Sequence, residues 1–399
     1  MSNYFIKDFE WLVVSGLDGI ELYNVNDGSK IIHLKKTEAA LFEQILRGKA
    51  IEEFEKEDLK DILKVIKDNK IGTFSDKFFI NNEYKIGKDE IGYFDQQGAL
   101  VHVYIEIPSK CELCKNCDKI ITAPCYSCHK TKDSDISIEK YCDIIDSIKE
   151  YNVRRVILHG ANILKEDLTY GIINKLVENN IETHLILHNK MLKSDEKSKI
   201  LEIVKSVPNN LVKLIVNFDI MSEKVIESLY ADIKEVIEYY GEDNIIVSLK
   251  IEKSLCSVIK DIKKNIYDLG GLIANVSVVS DEVITEEELE AIYRIDMYDY
   301  EGISIIKKYN RCMAGVVALD TELNVMSCPH MRDNIVQYKD GELDKENKLK
   351  YLWTLTKDKV EQCKDCSMRY RCMECRAVEV NYTKKVNGKR ECKYYIDNI

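Results

Sequence analysis

Residues 111–128 hold five cysteines in eighteen positions: Cys111, Cys114, Cys117, Cys125 and Cys128. A second group of seven closes the chain: Cys312, Cys328, Cys363, Cys366, Cys372, Cys375 and Cys392. Only Cys142 and Cys256 of the fourteen stand apart, and both sit in helix-like stretches that read as core. Thiols clustered in this way, in a chain with no export signal, point to metal or iron–sulfur ligation rather than to disulfides. The tail carries two close CxxC steps, in "CKDCSMRYRCMEC". Four thiolates there would suit zinc or a four-iron cluster. Seven cysteines can make one complete four-cysteine site and one three-cysteine site.

These ligands need a scaffold. Between residues 98 and 300 six β-branched runs, "VHVYIEI", "RRVILH", "ETHLIL", "VKLIVNF", "NIIVSLKI" and "LIANVSVV", alternate with helical patterns such as "SIEKYCDIIDSIKEY". Six such units predict an α/β fold, a partial (β/α)6 barrel with a parallel sheet. Chemistry in such barrels sits at the carboxyl ends of the strands. The five-cysteine stretch leaves the first strand at that end.

Residues 1–90 form a separate unit. "WLVVSG", "GIELYNV" and "KIIHL" read as strands, and "KKTEAALFEQILRG" and "IEEFEKEDLKDILKVIKDNKIG" as two or three helices, which together suggest a small winged-helix-like domain or a structural cap. Residues 305–399 show little periodic structure and would depend on ligation. The net charge of −11 argues against a nucleic-acid or anionic-membrane binder. No run is long enough to span a membrane, and the amino end lacks a signal peptide, so the expected location is the cytoplasm.

A partial barrel with a cysteine loop after its first strand and this seven-cysteine tail resembles the radical S-adenosylmethionine enzymes that carry a SPASM domain. "LWTLTKDKVEQCKDCSMRYRCMECRA" is especially similar to the tail of peptide maturases, including those of grasp-with-spasm type. The resemblance implies [4Fe-4S] clusters and S-adenosyl-L-methionine as cofactors. It implies a ribosomally made precursor peptide as partner, captured through its leader by the 1–90 unit. One auxiliary cluster would use Cys312, Cys328 and Cys375, the other Cys363, Cys366, Cys372 and Cys392. The expected product is a thioether or carbon–carbon crosslink, or an epimerised residue.

The chain departs from the family's pattern at several points. Leu323 stands where a glycine is expected five residues before Cys328, and the Cys372–Cys375 step is one residue short. The radical-cluster motif CxxxCxxC is matched only by Cys111, Cys114 and Cys117 as CxxCxxC. Cys117, Cys125 and Cys128 are a second choice, and a zinc knuckle of Cys114, Cys117, Cys125 and Cys128 is a third. After the second barrel strand, Gly160 matches the family's Gly-Gly-Glu stretch, but His159 replaces a glycine and Ala161 the acid that holds the cofactor's amino group. His159 could reach the site, and Tyr126 could stack on an adenine or simply pack. His129 reads as a solvated loop residue. A second function stays open beside the maturase: a non-catalytic relative that binds the precursor peptide and presents it to a second modifying enzyme.

Overall fold

The computed structural model describes residues 3–79 (save 25 and 28–29), 100–109, 126, 134, 136–280 (save 194–196 and 208–210) and 305–389 (save 311, 333–335, 338–347, 371 and 373–374). Cys111, Cys114, Cys117, Cys125, Cys128, His129 and Cys392 lie outside them, as do the expected domain junctions near 90 and 300.

Six parallel strands follow the six apolar runs: β6 (His102–Glu106), β7 (Arg155–His159), β8 (Glu182–His188), β9 (Val212–Ile220), β10 (Ile245–Glu252) and β11 (Leu272–Val279). They join in sequence order, β6 to β11. Helices α3 (Ile138–Lys149), α4 (Asp167–Glu178), α5 (Lys197–Ser206), α6 (Ile226–Tyr240) and α7 (Ile259–Asp268) connect them. Strands added in order by crossovers of one hand place every helix on the same face. The main core confirms this arrangement: Val103, Val156, Leu185, Leu214, Leu249 and Val276 meet Ile144, Ile172, Ile200, Ile233 and Ile262 of the helices. Among the described residues this mixed α/β sheet carries barrel helices on one side, consistent with a partial barrel.

The tail contains more regular structure than its sequence pattern predicts. β12 (Val316–Leu319) pairs in parallel with β6, and β13 (Asn324–Met326) and β14 (Val336–Gln337) extend the sheet antiparallel to nine strands. α8 (Lys348–Trp353) and α9 (Arg376–Thr383) follow. The turn between β12 and β13 holds Leu323 at φ +61°, the left-handed region that glycine enters most readily. Asp320 Oδ1 closes that turn by accepting from the backbone N–H groups of Glu322 (2.9 Å) and Asn324 (2.8 Å).

The amino-terminal unit has its own core, centred on Trp11, Phe42, Ile45, Leu59 and Ile62. β2 (Trp11–Gly16), β3 (Gly19–Asn24) and β4 (Ile31–Lys35) make an antiparallel meander with β4 at one edge, matching the three sequence runs. α1 (Lys36–Leu46) begins where the Glu38 carboxylate accepts from the Lys35 N–H at 2.9 Å. α2 (Lys56–Asn69) ends with Lys70 in the left-handed conformation. A ribbon of β1 (Tyr4–Lys7) and β5 (Gly72–Ser75) completes it; both strands are too short to stand out in the sequence.

Candidate functional site

Side chains alternate across a strand, so every second residue of β6–β11 faces away from the helices. This inner face is layered. Toward the amino ends of the strands, Glu182 accepts hydrogen bonds from Arg155 at 3.0 and 3.1 Å and pairs with the His184 ring at 2.7 Å. His102 neighbours Arg155 in the β6–β7 register. Burial, with Arg155 close by, lowers both His102 and His184 to about 4. An apolar layer follows: Tyr104, Ile157, Ile186, Ile215, Val316, Ala318 and Met326. Tyr126, the described residue of the cysteine-rich stretch, packs against this layer.

The carboxyl ends carry a second polar layer. Lys190 N–H donates to His188 Nδ1 at 3.2 Å, which leaves the ring proton on Nε2. Nε2–H then donates to Asp219 Oδ2 at 3.2 Å, and Lys250 Nζ lies 3.2 Å from Asp219 Oδ1. Burial alone would raise the Asp219 carboxyl, but the His188 hydrogen bond and the Lys250 ammonium bring it below its usual value. Lys250 is buried to 1% exposure, which such a pairing makes tolerable. Beside it the buried Asn217 Oδ1 and Ser248 Oγ accept no hydrogen bond from the described residues. Buried polar atoms of this kind mark places where a water or ligand completes the site.

On β6 and β7, Glu106 and His159 are register partners. Glu106 is 1% exposed and accepts from Arg332 at 2.9 Å. His159 is buried and stacks edge-on against Tyr104, with ring centroids 5.9 Å apart. Burial, with His330 and Arg332 nearby, holds it well below the ordinary histidine value, so it is neutral. Gly160 sits so close to β6 that a Cβ there would lie 2.6 Å from Ile107 O and 2.9 Å from Ser109 Oγ. Ser109 Oγ in turn accepts from the N–H groups of Ala161 (2.8 Å) and Asn162 (3.2 Å). Ala161 is buried at 1%. The glycine at 160 is therefore required by packing, and the place of the missing acid is closed.

The tail cysteines fall into two sets. Cys328 has its thiol pushed up to about 12 by burial, with Cys375 and Cys312 adding to the rise, while the backbone N–H groups of His330 and Met331 point at its sulfur. Cys366 is raised to about 12 by burial, with Asp18, Cys372 and Cys363 contributing. Among the described residues no three histidine, cysteine or acidic donors converge on a single ion. An iron–sulfur cluster is a body with separated corners, and its thiolates surround it rather than meet at a point. The donor chemistry of Cys312, Cys328 and Cys375, and of Cys363, Cys366 and Cys372, fits such groups. Cys256 is buried in the main core as expected, whereas Cys142 on α3 is only half-buried.

Glu106, His188, Asp219 and Lys250 went unnoticed in the sequence. The signal was present: a charged or imidazole residue in the last three positions of a largely apolar strand.

No protein-family model matches the chain, and no curated protein does. Among solved structures it is similar to Streptococcus suis SuiB bound to S-adenosylmethionine, at 12% identity and a TM-score of 0.46, over 97% of this chain and 99% of that one. SuiB bound to precursor peptide SuiA, and SuiB alone, each give 12% identity and 0.44 over the same shares. Likenesses this distant carry no functional inference. Among the described residues no helix is long and apolar enough to cross a membrane.

Proposed function

We propose that the chain is a radical S-adenosylmethionine maturase with a SPASM-like tail, acting on a ribosomally made precursor peptide. One observation carries the reading. The segment from Cys328 to Arg332 reaches the carboxyl ends of β6 and β7, through Arg332 on Glu106 and His330 beside His159. That is the end at which the five-cysteine stretch leaves β6. In this reading both cysteine-rich parts of the sequence would serve that mouth of the sheet, where the strand ends carry Glu106, His188, Asp219 and Lys250.

In this reading residues 1–90 form a winged-helix-like domain that takes the leader, 98–300 the barrel and 305–399 the cluster-bearing tail. Three of Cys111, Cys114, Cys117, Cys125 and Cys128 would hold the cluster that leaves one iron open to S-adenosylmethionine. That pair of cofactors supplies a carbon-centred radical by reductive cleavage of the sulfonium. Cys312, Cys328 and Cys375, and Cys363, Cys366, Cys372 and Cys392, would hold the auxiliary clusters. The protein's own part is to exclude water with the Tyr104–Met326 apolar layer, to present Tyr126 and Gly160 to the cofactor, and to keep His159 neutral. Asp219 and Lys250 supply fixed charges to the bound groups, and His188 holds Asp219 in place.

The closed, acid-free turn at Ala161 favours a second reading, a non-catalytic partner that presents the peptide to another enzyme. Anaerobically reconstituted, reduced protein with its precursor peptide separates the two. The maturase forms 5′-deoxyadenosine, and replacing Cys111, Cys114 and Cys117 by alanine abolishes it while leader binding persists. Fully iron-loaded wild type that never cleaves S-adenosylmethionine leaves the partner reading in place.

A further inference from the structure

We propose that Asp18 couples the amino-terminal unit to the group held by Cys363, Cys366 and Cys372: its carboxylate keeps the reduction potential of that group low, and an electron added there loosens the docking of the unit. The inference rests on the cluster assigned to these cysteines above and adds to it a residue from outside the tail.

Asp18 lies in the β2–β3 turn, 348 positions before Cys366, yet its Oδ2 is 4.0 Å from Cys366 Sγ. Both carboxylate oxygens accept from Ser367, Oδ1 from the backbone N–H and Oδ2 from the hydroxyl, each at 2.9 Å. Ser367 donates hydrogen bonds but no charge, so the carboxylate stays fully negative beside the sulfur. The nearby cation is engaged elsewhere: Arg369 Nε donates to Asp358 at 2.7 Å, and its Nη1 donates to the carbonyls of Ser15 (2.9 Å) and Cys366 (2.7 Å). Backbone contacts fix the turn at this place. Leu17 N–H donates to Asp365 O at 2.7 Å, and a Cβ on Gly16 would lie 2.7 Å from the carbonyl carbon of Cys366. The approach of carboxylate to sulfur is therefore set by the docking and not by a free rotamer.

A cysteine that ligates iron does so as the thiolate. It then has no proton to offer Asp18, and the contact sets two negative groups against each other. Asp18 and Cys366 are both half-buried, so solvent screens them less than it would on an open surface. A one-electron reductant adds a further negative charge to the bound group, with no bond made or broken. Asp18 opposes that step, which lowers the potential. Linkage makes the effect reciprocal: the factor that docking imposes on reduction, reduction imposes on docking. A carboxylate needed only to cap the Ser367 turn could be exchanged for its neutral isostere, whereas one that sets the potential could not.

Potentiometric titration of the reconstituted full chain, followed by electron paramagnetic resonance, reads the first half of the proposal. The signal absent from the variant with both Cys363→Ala and Cys366→Ala identifies the site. Asp18→Asn keeps an acceptor for the Ser367 amide and removes the charge. The midpoint of that signal should rise by about 59 mV or more, a tenfold change in the oxidised-to-reduced ratio for one electron, while the other signals stay in place. Asp18→Glu keeps the charge and should remain close to wild type. Amide hydrogen exchange at Ser367, measured with and without dithionite as the reductant, reads the second half. Reduced wild type should exchange several-fold faster than oxidised, and in Asp18→Asn the two states should exchange alike. The wild-type comparison needs no variant, so it stands even where Asp18→Asn folds poorly. An unmoved midpoint in folded Asp18→Asn overturns the proposal and leaves Asp18 as a cap on the turn, and so does wild-type exchange that ignores reduction. Wild type that holds zinc, or no iron, at these cysteines overturns the cluster assignment itself, an outcome separate from an unmoved midpoint.

Discussion

Asp18, at the tip of the β2–β3 turn, accepts two hydrogen bonds from Ser367, one from its backbone N–H and one from its Oγ, both at 2.9 Å. Leu17 N–H donates to Asp365 O at 2.7 Å, and Arg369 donates to Ser15 O at 2.9 Å. Leu12, Val14 and Tyr23 pack on Tyr370. The turn of the amino-terminal unit is thus docked on the loop that carries Cys363, Cys366 and Cys372.

This contact sets the first prediction. Asp18→Ala removes both bonds and leaves the Ser367 amide without its acceptor, at a cost of about 1–3 kcal/mol to docking. Gly16→Ala should act in the same direction, because its Cβ would lie 2.2 Å from Ser367 N. Amide hydrogen exchange at Ser367 reads both. Protection unchanged in the two variants would mean the units hold together without the turn.

A second prediction concerns acid. His102 and His184 titrate at about 4 in the fold and near 6.5 when unfolded. The unfolded chain therefore takes up protons first, and stability falls as pH drops from about 6.5 toward 4. The loss is bounded by about 3 kcal/mol for each ring. The groups facing them are Arg155, Arg154, Glu182 and Lys213. Glu182 would be raised by burial, but its bonds to His184 and Arg155 lower it, so its contribution is also lost in acid, below its unfolded value of 4.5. Urea denaturation at pH 7.5, 5.5 and 4.5 should show His184→Gln less acid-sensitive than wild type; parallel curves would refute this.

The six barrel strands were legible because each is a β-branched run, buried on both faces over much of its length, and the structure places them within a residue or two of those runs. β12 was not. "VVAL" is only four residues long, sits between cysteines, and gains its place by pairing with β6 some two hundred positions earlier in the chain, a relation no local pattern carries. The same limit hid Glu106 and Arg332, which meet only after that pairing. Gly160 matches the family's cofactor-binding stretch, and its close approach to Ile107 and Ser109 gives the same residue a packing reason. The first-strand cysteines fall outside the described residues.

Leu323 gives a third prediction. It holds φ +61° where its Cβ is penalised, by about 1–2 kcal/mol, yet its side chain is buried in the main core. Burial offsets the strain. Leu323→Ala keeps the strain and loses the burial, so it should cost about 2–4 kcal/mol. Leu323→Gly loses the same burial but relieves the strain, and should be the milder of the two. The reverse order in thermal unfolding would mean the left-handed turn is not what Leu323 endures.

Iron content provides the fourth. With two auxiliary sites of four-iron type, the tail should account for about four to eight irons in anaerobically prepared protein. Replacing Cys363 and Cys366 together by alanine should lower that number and loosen the Asp18–Ser367 docking, since both cysteines flank the contact. Full retention of iron in that variant would sink the assignment, and stoichiometric zinc without iron would favour a structural knuckle.

The last prediction concerns the leader peptide. β4 lies at the edge of the three-stranded meander, paired with β3 on one side only. An edge strand presents backbone N–H and C=O groups that an extended peptide can complete by strand addition. The opposite edge, β2, belongs to the face that docks on the tail through Ser15, Gly16 and Asp18, which makes β4 the accessible choice. Hydrogen-bonded pairs alternate along the ladder from Asn24 and Lys30, so the Ile31 N–H points to the free edge; Ile31→Pro would remove that donor and fix its φ, and should weaken leader binding by at least tenfold while the barrel stays folded. Because proline also constrains the strand, a second variant is needed. His33→Gln changes a side chain of the strand without touching its backbone and keeps a donor for the buried Glu21 carboxylate, and should leave affinity within a few-fold if main-chain bonds carry the recognition. Deleting residues 1–90 should abolish leader binding altogether. Unchanged affinity in that deletion would reduce the amino-terminal unit to a cap on the cysteine-rich tail.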